Sequence, residues 1–186
     1  MQFNDKVDLM RDSILEQALE IKWNSMITFT QSAKRHMDPV QLEQQIIETI
    51  KRVEVCLSHY YTSHDDHRIE DFACKYPKSR FKRQWKRGEI KPHYLLAIEP
   101  HKSGHPHGHL LISHSRQEHK PNYCIKLWDY LWRTCSPNAG QIDVSPISKD
   151  KPKAAINYCT KYLRKDDQNV IFTMNLPFEI ENYVPL

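Results

Sequence analysis

Two β-rich runs face each other across one short turn, and between them they hold much of the chemistry this chain can offer. His93 to Glu99 (HYLLAIE) and His107 to Ser113 (HGHLLIS) flank Pro100 to Pro106, a segment built around Gly104. That pattern predicts a β-hairpin. Strand side chains alternate between faces, so His107 and His109 project from the same side. Glu99, on the other arm, falls roughly opposite them. Two imidazoles and a carboxylate on one sheet face make a partial coordination shell with open positions, suited to a divalent ion that also holds a phosphate oxygen and water. A histidine pair alone is a weak metal signal; the carboxylate on the partner strand strengthens it. Gly108 points to the opposite face, where a helix or backbone can approach closely. His101 and His105 lie in the turn, where ligands are held less firmly, and read as bystanders or substrate contacts.

The segments around the hairpin predict an α+β fold. Leu9, Ile14, Leu15, Ala18, Leu19 and Ile21 recur at helical spacing between Asp8 and Lys22. Ser25 to Gln31 (SMITFTQ) reads as a strand. Asp38-Pro39 supplies a cap and a first-turn proline to a helix whose stripe is Leu42, Ile46, Ile47, Ile50, Val53 and Leu57. After the hairpin, Pro121 opens a helix carrying Ile125, Leu127, Trp128, Leu131 and Trp132, stopped by Ser136 to Gly140. Gln141 to Ile147 alternates as a strand, Ala154 to Lys165 is helical, and Val170 to Leu186 is a mostly extended tail. Leaving the first helix aside, strand-helix-strand-strand-helix-strand is the split βαβ order of ferredoxin-like and RRM-like folds, with a central antiparallel sheet and helices mainly on one face. The 186 residues fit one domain, with an N-terminal helical extension (1–24), a basic insertion (62–91) and a C-terminal tail (170–186).

Charge is concentrated in that insertion. The formal net charge is only +4, yet between Lys75 and Lys91 eight Lys or Arg face a single acid, Glu89. Lys75, Lys78, Arg80, Lys82, Arg83, Lys86 and Arg87, with Trp85 among them, suit a phosphate backbone and unstacked bases. A solvated basic surface is the alternative for the run taken alone. The five cysteines form no CxxC pair, and an odd number leaves one over, which points to reduced thiols in a cytosolic compartment. The N-terminal residues carry charge where a signal peptide needs an apolar run, and no stretch approaches the roughly 18 apolar residues of a membrane span. A soluble cytoplasmic protein without membrane contact is expected.

A second group of reactive side chains lies on the last helix. Tyr158 and Tyr162 are one turn apart and share a face; Lys161 and Lys165 each follow a tyrosine by three positions. A phenolate can displace a 3′ oxygen from phosphorus, and a neighbouring ammonium can offset phosphate charge. Tyrosines and lysines at this spacing are common on ordinary amphipathic helices, so the weight comes from the upstream histidines. A phosphotransfer needs both a nucleophile and an electrophilic activator.

Glu99-x7-His107-x-His109 followed by Tyr158-x-x-Lys161 resembles the HUH endonuclease superfamily, and more closely its rolling-circle replication initiators. The three motifs of that group have counterparts in order: MITFT (Met26 to Thr30), HPHGHLL (His105 to Leu111) and NYCTKYLRK (Asn157 to Lys165). The Glu-to-His spacing is similar to that of eukaryotic single-stranded DNA virus initiators. The YxxKYxxK run, after an LW-containing helix and an IDV strand, is more similar to bacterial plasmid and phage initiators. The resemblance spans about Ser25 to Lys165 and departs at Gly108, where the group usually has a bulky hydrophobic residue.

The resemblance implies an HUH endonuclease fold, with Mg²⁺ or Mn²⁺ held by Glu99, His107 and His109. It implies that Tyr158 or Tyr162, with Tyr158 ranked first, nicks single-stranded or hairpin origin DNA. A 5′-phosphotyrosine link and a free 3′-hydroxyl would result, later rejoined without ATP. The expected setting is a bacterial cytoplasm, at the nucleoid when acting. No GxxxxGK[ST] run occurs, so a host helicase and replication machinery are expected partners. Relaxases and single-strand transposases share the chemistry but fit the motif order or chain length less well. A non-catalytic nucleic-acid-binding sheet, with Phe29 and Tyr94 stacking bases, and a histidine-rich metal-storage or sensing protein are the other readings.

Overall fold

The computed structural model describes residues 3–32, 37–60, 83, 92–100, 104–115, 121–136, 138–148, 152–161 and 170–176. Five strands form one antiparallel sheet: β1 (Ser25–Gln31), β2 (His93–Pro100), β3 (Pro106–Ser113), β4 (Ala139–Pro146) and β5 (Ile171–Asn175). Their spatial order is β4-β1-β3-β2-β5. Four helices accompany them among the described residues: α1 (Phe3–Leu19), α2 (Pro39–Tyr60), α3 (Pro121–Cys135) and α4 (Pro152–Thr160). The architecture is therefore α+β, consistent with an HUH endonuclease fold.

Local chemistry sets the main boundaries. Asp38 caps α2: its Oδ1 accepts from Gln41 N at 2.8 Å, and Gln41 Oε1 accepts from Asp38 N at 3.2 Å. That reciprocal pair satisfies two otherwise orphaned donors, and Pro39 fills the first helical position, where no amide is needed. The hairpin pairs Glu99 with His107 and Ala97 with His109. Gly104, at φ 84°, provides the left-handed backbone of the intervening turn.

Each face of the sheet buries a different pair of helices. On one face, Ile27, Phe29, Leu96, Ile98, Leu110 and Ile112 pack against α2 and α3. The apolar stripe of α2 (Leu42, Ile46, Ile50, Val53, Leu57) is fully buried there, and Phe29 meets Trp128 and Trp132 edge-on at 5.9 and 4.9 Å. Each large apolar side chain so buried contributes about 1.5–3 kcal/mol. These are the two helices of the split βαβ unit, together on one face as its order predicts. The opposite face is covered at one end by α1 and α4, where Ile14, Ala18, Ile156 and Cys159 lie over Leu95 and Leu111. Beyond that cover the same face carries Thr28, Glu99, His107 and His109.

Several boundaries differ from the sequence expectation. The first helix runs Phe3–Leu19, and Ile21 and Trp23 instead enter the core from the connection to β1, with Trp23 Nε1 donating to Ala18 O at 2.8 Å. Within the expected tail, Ile171–Asn175 is a fifth strand, paired antiparallel with the β2 edge. The basic insertion 62–91 lies outside the described residues, apart from Arg83. No helix among the described residues is long and apolar enough to cross a membrane.

Candidate functional site

Strand register alone brings the three expected ligands together. Glu99 is the ladder partner of His107, and His109 follows two residues later on the same face. Glu99 Oε1 lies 3.1 Å from His107 Nε2 and 3.1 Å from His109 Nε2. One donor atom from each residue falls within 4.8 Å of the others. The two imidazoles meet edge to face at 4.7 Å. Glu99 and His107 keep some solvent access (side chains 16% and 14% exposed), whereas His109 is buried.

Burial, followed by the neighbouring His107, pushes His109 down to about 4, outweighing the opposing pull of Glu99. Its imidazole is therefore neutral at physiological pH and keeps a lone pair for coordination. Nitrogen and oxygen donors in a set of two histidines and one carboxylate fit a divalent cation with positions left open to substrate and water. Among the described residues this is the group of His, Cys, Asp and Glu side chains that converges in this way.

The last helix carries Tyr158 to the same place. Its hydroxyl lies 3.4 Å from His109 Nε2, and the two rings meet edge to face at 4.9 Å. Ile156, Cys159 and Thr160 are the buried side of α4, and they seat the helix on the sheet with Tyr158 half-buried at its margin. Ala97, opposite His109, presents only a methyl group beneath it. Lys161 Nζ lies 3.6 Å from the centre of the Tyr158 ring, a cation–π contact rather than one to the phenol oxygen. On the residue after Tyr158, burial pushes the Cys159 thiol up to about 12, so it remains protonated and unreactive.

Glu99, His107, His109, Tyr158 and Lys161 are thus gathered in one cluster. Tyr162 and Lys165 lie outside the described residues, as do Lys75, Lys78, Arg80, Lys82, Trp85, Lys86 and Arg87; Arg83 is exposed. Phe29 and Tyr94, the aromatics considered for base stacking, are both buried against α2 and α3. His105 stands outside the converging trio. One neighbour went unread in the sequence: Thr28, whose Oγ1 lies 3.2 Å from His109 Nδ1. Its only signal was the alternation of MITFT, which puts threonine on the face opposite Ile27 and Phe29.

Gly108 faces away from the ligands, and a Cβ there would come within 2.5 Å of Ile46 Cδ1 and 3.1 Å of Ile98 Cδ1. The space a larger residue would take between the histidines is filled instead from α2.

An α+β sheet with a carboxylate–imidazole trio and a tyrosine helix beside it defines a class of phosphotransfer scaffold. The model of the replication-associated protein family, the one that groups ORF2 with the gene II protein, matches residues 24–167, and the chain belongs to that family. Membership supports a role in initiating replication and implies DNA binding. Comparison with curated proteins and with solved structures found no significant match.

Proposed function

We propose that this chain is an HUH-type rolling-circle replication initiator that nicks and rejoins single-stranded origin DNA through Tyr158. The observation that carries the reading is the Tyr158 hydroxyl 3.4 Å from His109 Nε2, beside a trio fit to hold a cation. Glu99, His107 and His109 would hold Mg²⁺ or Mn²⁺, which as a Lewis acid polarises a phosphoryl oxygen. The phenol oxygen of Tyr158 attacks phosphorus; the new O–P bond replaces the P–O3′ bond, and the phenol proton passes through solvent to the leaving 3′ oxygen. The product is a 5′-phosphotyrosyl strand and a free 3′-hydroxyl. The reverse attack rejoins the strand, since the ester retains the phosphodiester's energy.

The remaining groups have supporting parts. Lys161, stacked on the Tyr158 ring, brings positive charge to the phosphate side of the nucleophile. Tyr162 and Lys165 supply a second tyrosine–lysine pair one turn on, and the basic run from Lys75 to Arg87 tracks the DNA backbone. A host helicase opens the duplex ahead of strand transfer. The buried state of Phe29 and Tyr94 weighs against a purely base-stacking module.

Incubation with single-stranded origin oligonucleotides and Mn²⁺, followed by denaturing electrophoresis, tests the reading. A denaturation-resistant adduct should form with the wild-type chain and with Tyr162→Phe, and vanish in Tyr158→Phe or with chelator. An adduct lost only in Tyr162→Phe would transfer the role to that residue. None with any metal or origin sequence would sink the nickase reading.

A further inference from the structure

β1 brings one more polar side chain to the trio. Thr28 is the ladder partner of His109, and its Oγ1 lies 3.2 Å from Nδ1 of that ring. The other ring nitrogen, Nε2, faces Glu99 Oε1 at 3.1 Å and the Tyr158 hydroxyl at 3.4 Å. His109 is thus held from both ends, and at 5% exposure it has little access to solvent as a substitute partner.

A neutral imidazole has one N–H and one lone pair. If Nε2 gives its lone pair to a cation, the proton sits on Nδ1 and must be donated to Thr28. If Nε2–H instead donates to Glu99, Nδ1 becomes an acceptor and needs a donor. A hydroxyl rotates and serves as either partner. Valine, its closest apolar isostere, serves as neither. The other threonine on this face of β1 is engaged elsewhere, since Thr30 Oγ1 donates to Gln141 O at 2.8 Å and ties β1 to β4.

We propose that Thr28 is a positioning residue of the cation site, fixing the His109 ring with Nε2 toward Glu99 and satisfying Nδ1 in both tautomers as a cation enters and leaves. The inference rests on the reading of Glu99, His107 and His109 as that site. It explains why the β1 motif accompanies the histidine pair: the strand supplies the outer partner of one ligand.

Titration of the full chain with Mn²⁺ alone, without DNA, separates the possibilities. Thr28→Val should weaken Mn²⁺ binding roughly 10–100-fold, the range typical for loss of an outer-shell partner. Thr28→Ser should restore most of the affinity, and Thr30→Val should bind like the wild type. The melting temperature of Thr28→Val should not fall, because valine suits a strand; Thr28→Ala stands in if it does. Imidazole ¹⁵N spectra with Zn²⁺ as a diamagnetic probe should place the His109 proton on Nδ1. Wild-type affinity in Thr28→Val and Thr28→Ala, or an equal loss in Thr30→Val, would overturn the role of Thr28. Absence of saturable binding to the wild-type chain would overturn the cation site, and the role of Thr28 with it. Loss of nicking alone would touch neither.

Discussion

Strand β3 carries a glutamate–histidine constellation near each of its ends, and the two are built differently. Just past its C-terminal end, His114 Nδ1 lies 2.5 Å from Glu54 Oε1, while Glu54 Oε2 accepts Ser115 N at 3.0 Å. Both side chains are only 1% exposed, and Asn24 Oδ1 takes the His114 amide at 2.7 Å. That carboxylate has a partner on each oxygen and no opening to solvent. Toward the other end, a single oxygen of Glu99 faces two imidazoles at once, and a phenol stands beside them. The same residue types thus serve cohesion where each acceptor is matched to a donor, and chemistry where donor atoms converge with room for something else.

The sharpest way to break this contrast is to remove the shared carboxylate. Glu99→Gln should cut Mn²⁺ affinity by more than the roughly 10–100-fold expected of an outer-shell change, since a ligand itself is altered. Its melting temperature should hold or rise, because a carboxylate arranged for a cation contributes little to folding without one. Calorimetric titration and thermal unfolding read both quantities. A large drop in melting temperature with Mn²⁺ affinity intact would make Glu99 a structural residue like Glu54.

The reciprocal change should act on stability alone. Glu54→Ala leaves the His114 ring and the Ser115 amide buried without their acceptor, a cost of about 3 kcal/mol. Denaturant unfolding should show that loss, while Mn²⁺ affinity stays at the wild-type level. An equal loss of metal binding would mean that the two constellations are coupled along β3.

How much of this was legible in the sequence follows from the range of the interactions involved. Glu99, His107 and His109 could be placed because one hairpin sets their register, and alternation fixes their common face. The stripe of α2 and its Asp38 cap were equally local. The Glu54–His114 pair could not be seen: the two are far apart in the chain, and only α2 packing on the sheet joins them. Thr28 is the intermediate case, with its face readable from MITFT but its partner dependent on how β1 aligns with β3. The β5 segment, VIFTM, had strand-like composition, yet its pairing with the β2 edge is a tertiary choice with no nearby turn to announce it.

The smallest expected effect lies between the two constellations, at Gly108. A valine there would restore the bulk usual in HUH initiators, but its Cβ would start within 2.5 Å of Ile46 Cδ1. Overpacking of this kind costs about 1–3 kcal/mol. Metal binding should move far less than in Glu99→Gln, because the valine side chain points toward α2 and the imidazoles point the other way. Ile46→Ala alone opens a cavity worth about 2–5 kcal/mol, so the two changes together should cost less than their sum. That non-additivity, read by denaturant unfolding of the four chains in the cycle, would identify Ile46 as the residue that supplies the missing bulk from the helix side. Strict additivity would mean that the space over Gly108 is filled some other way.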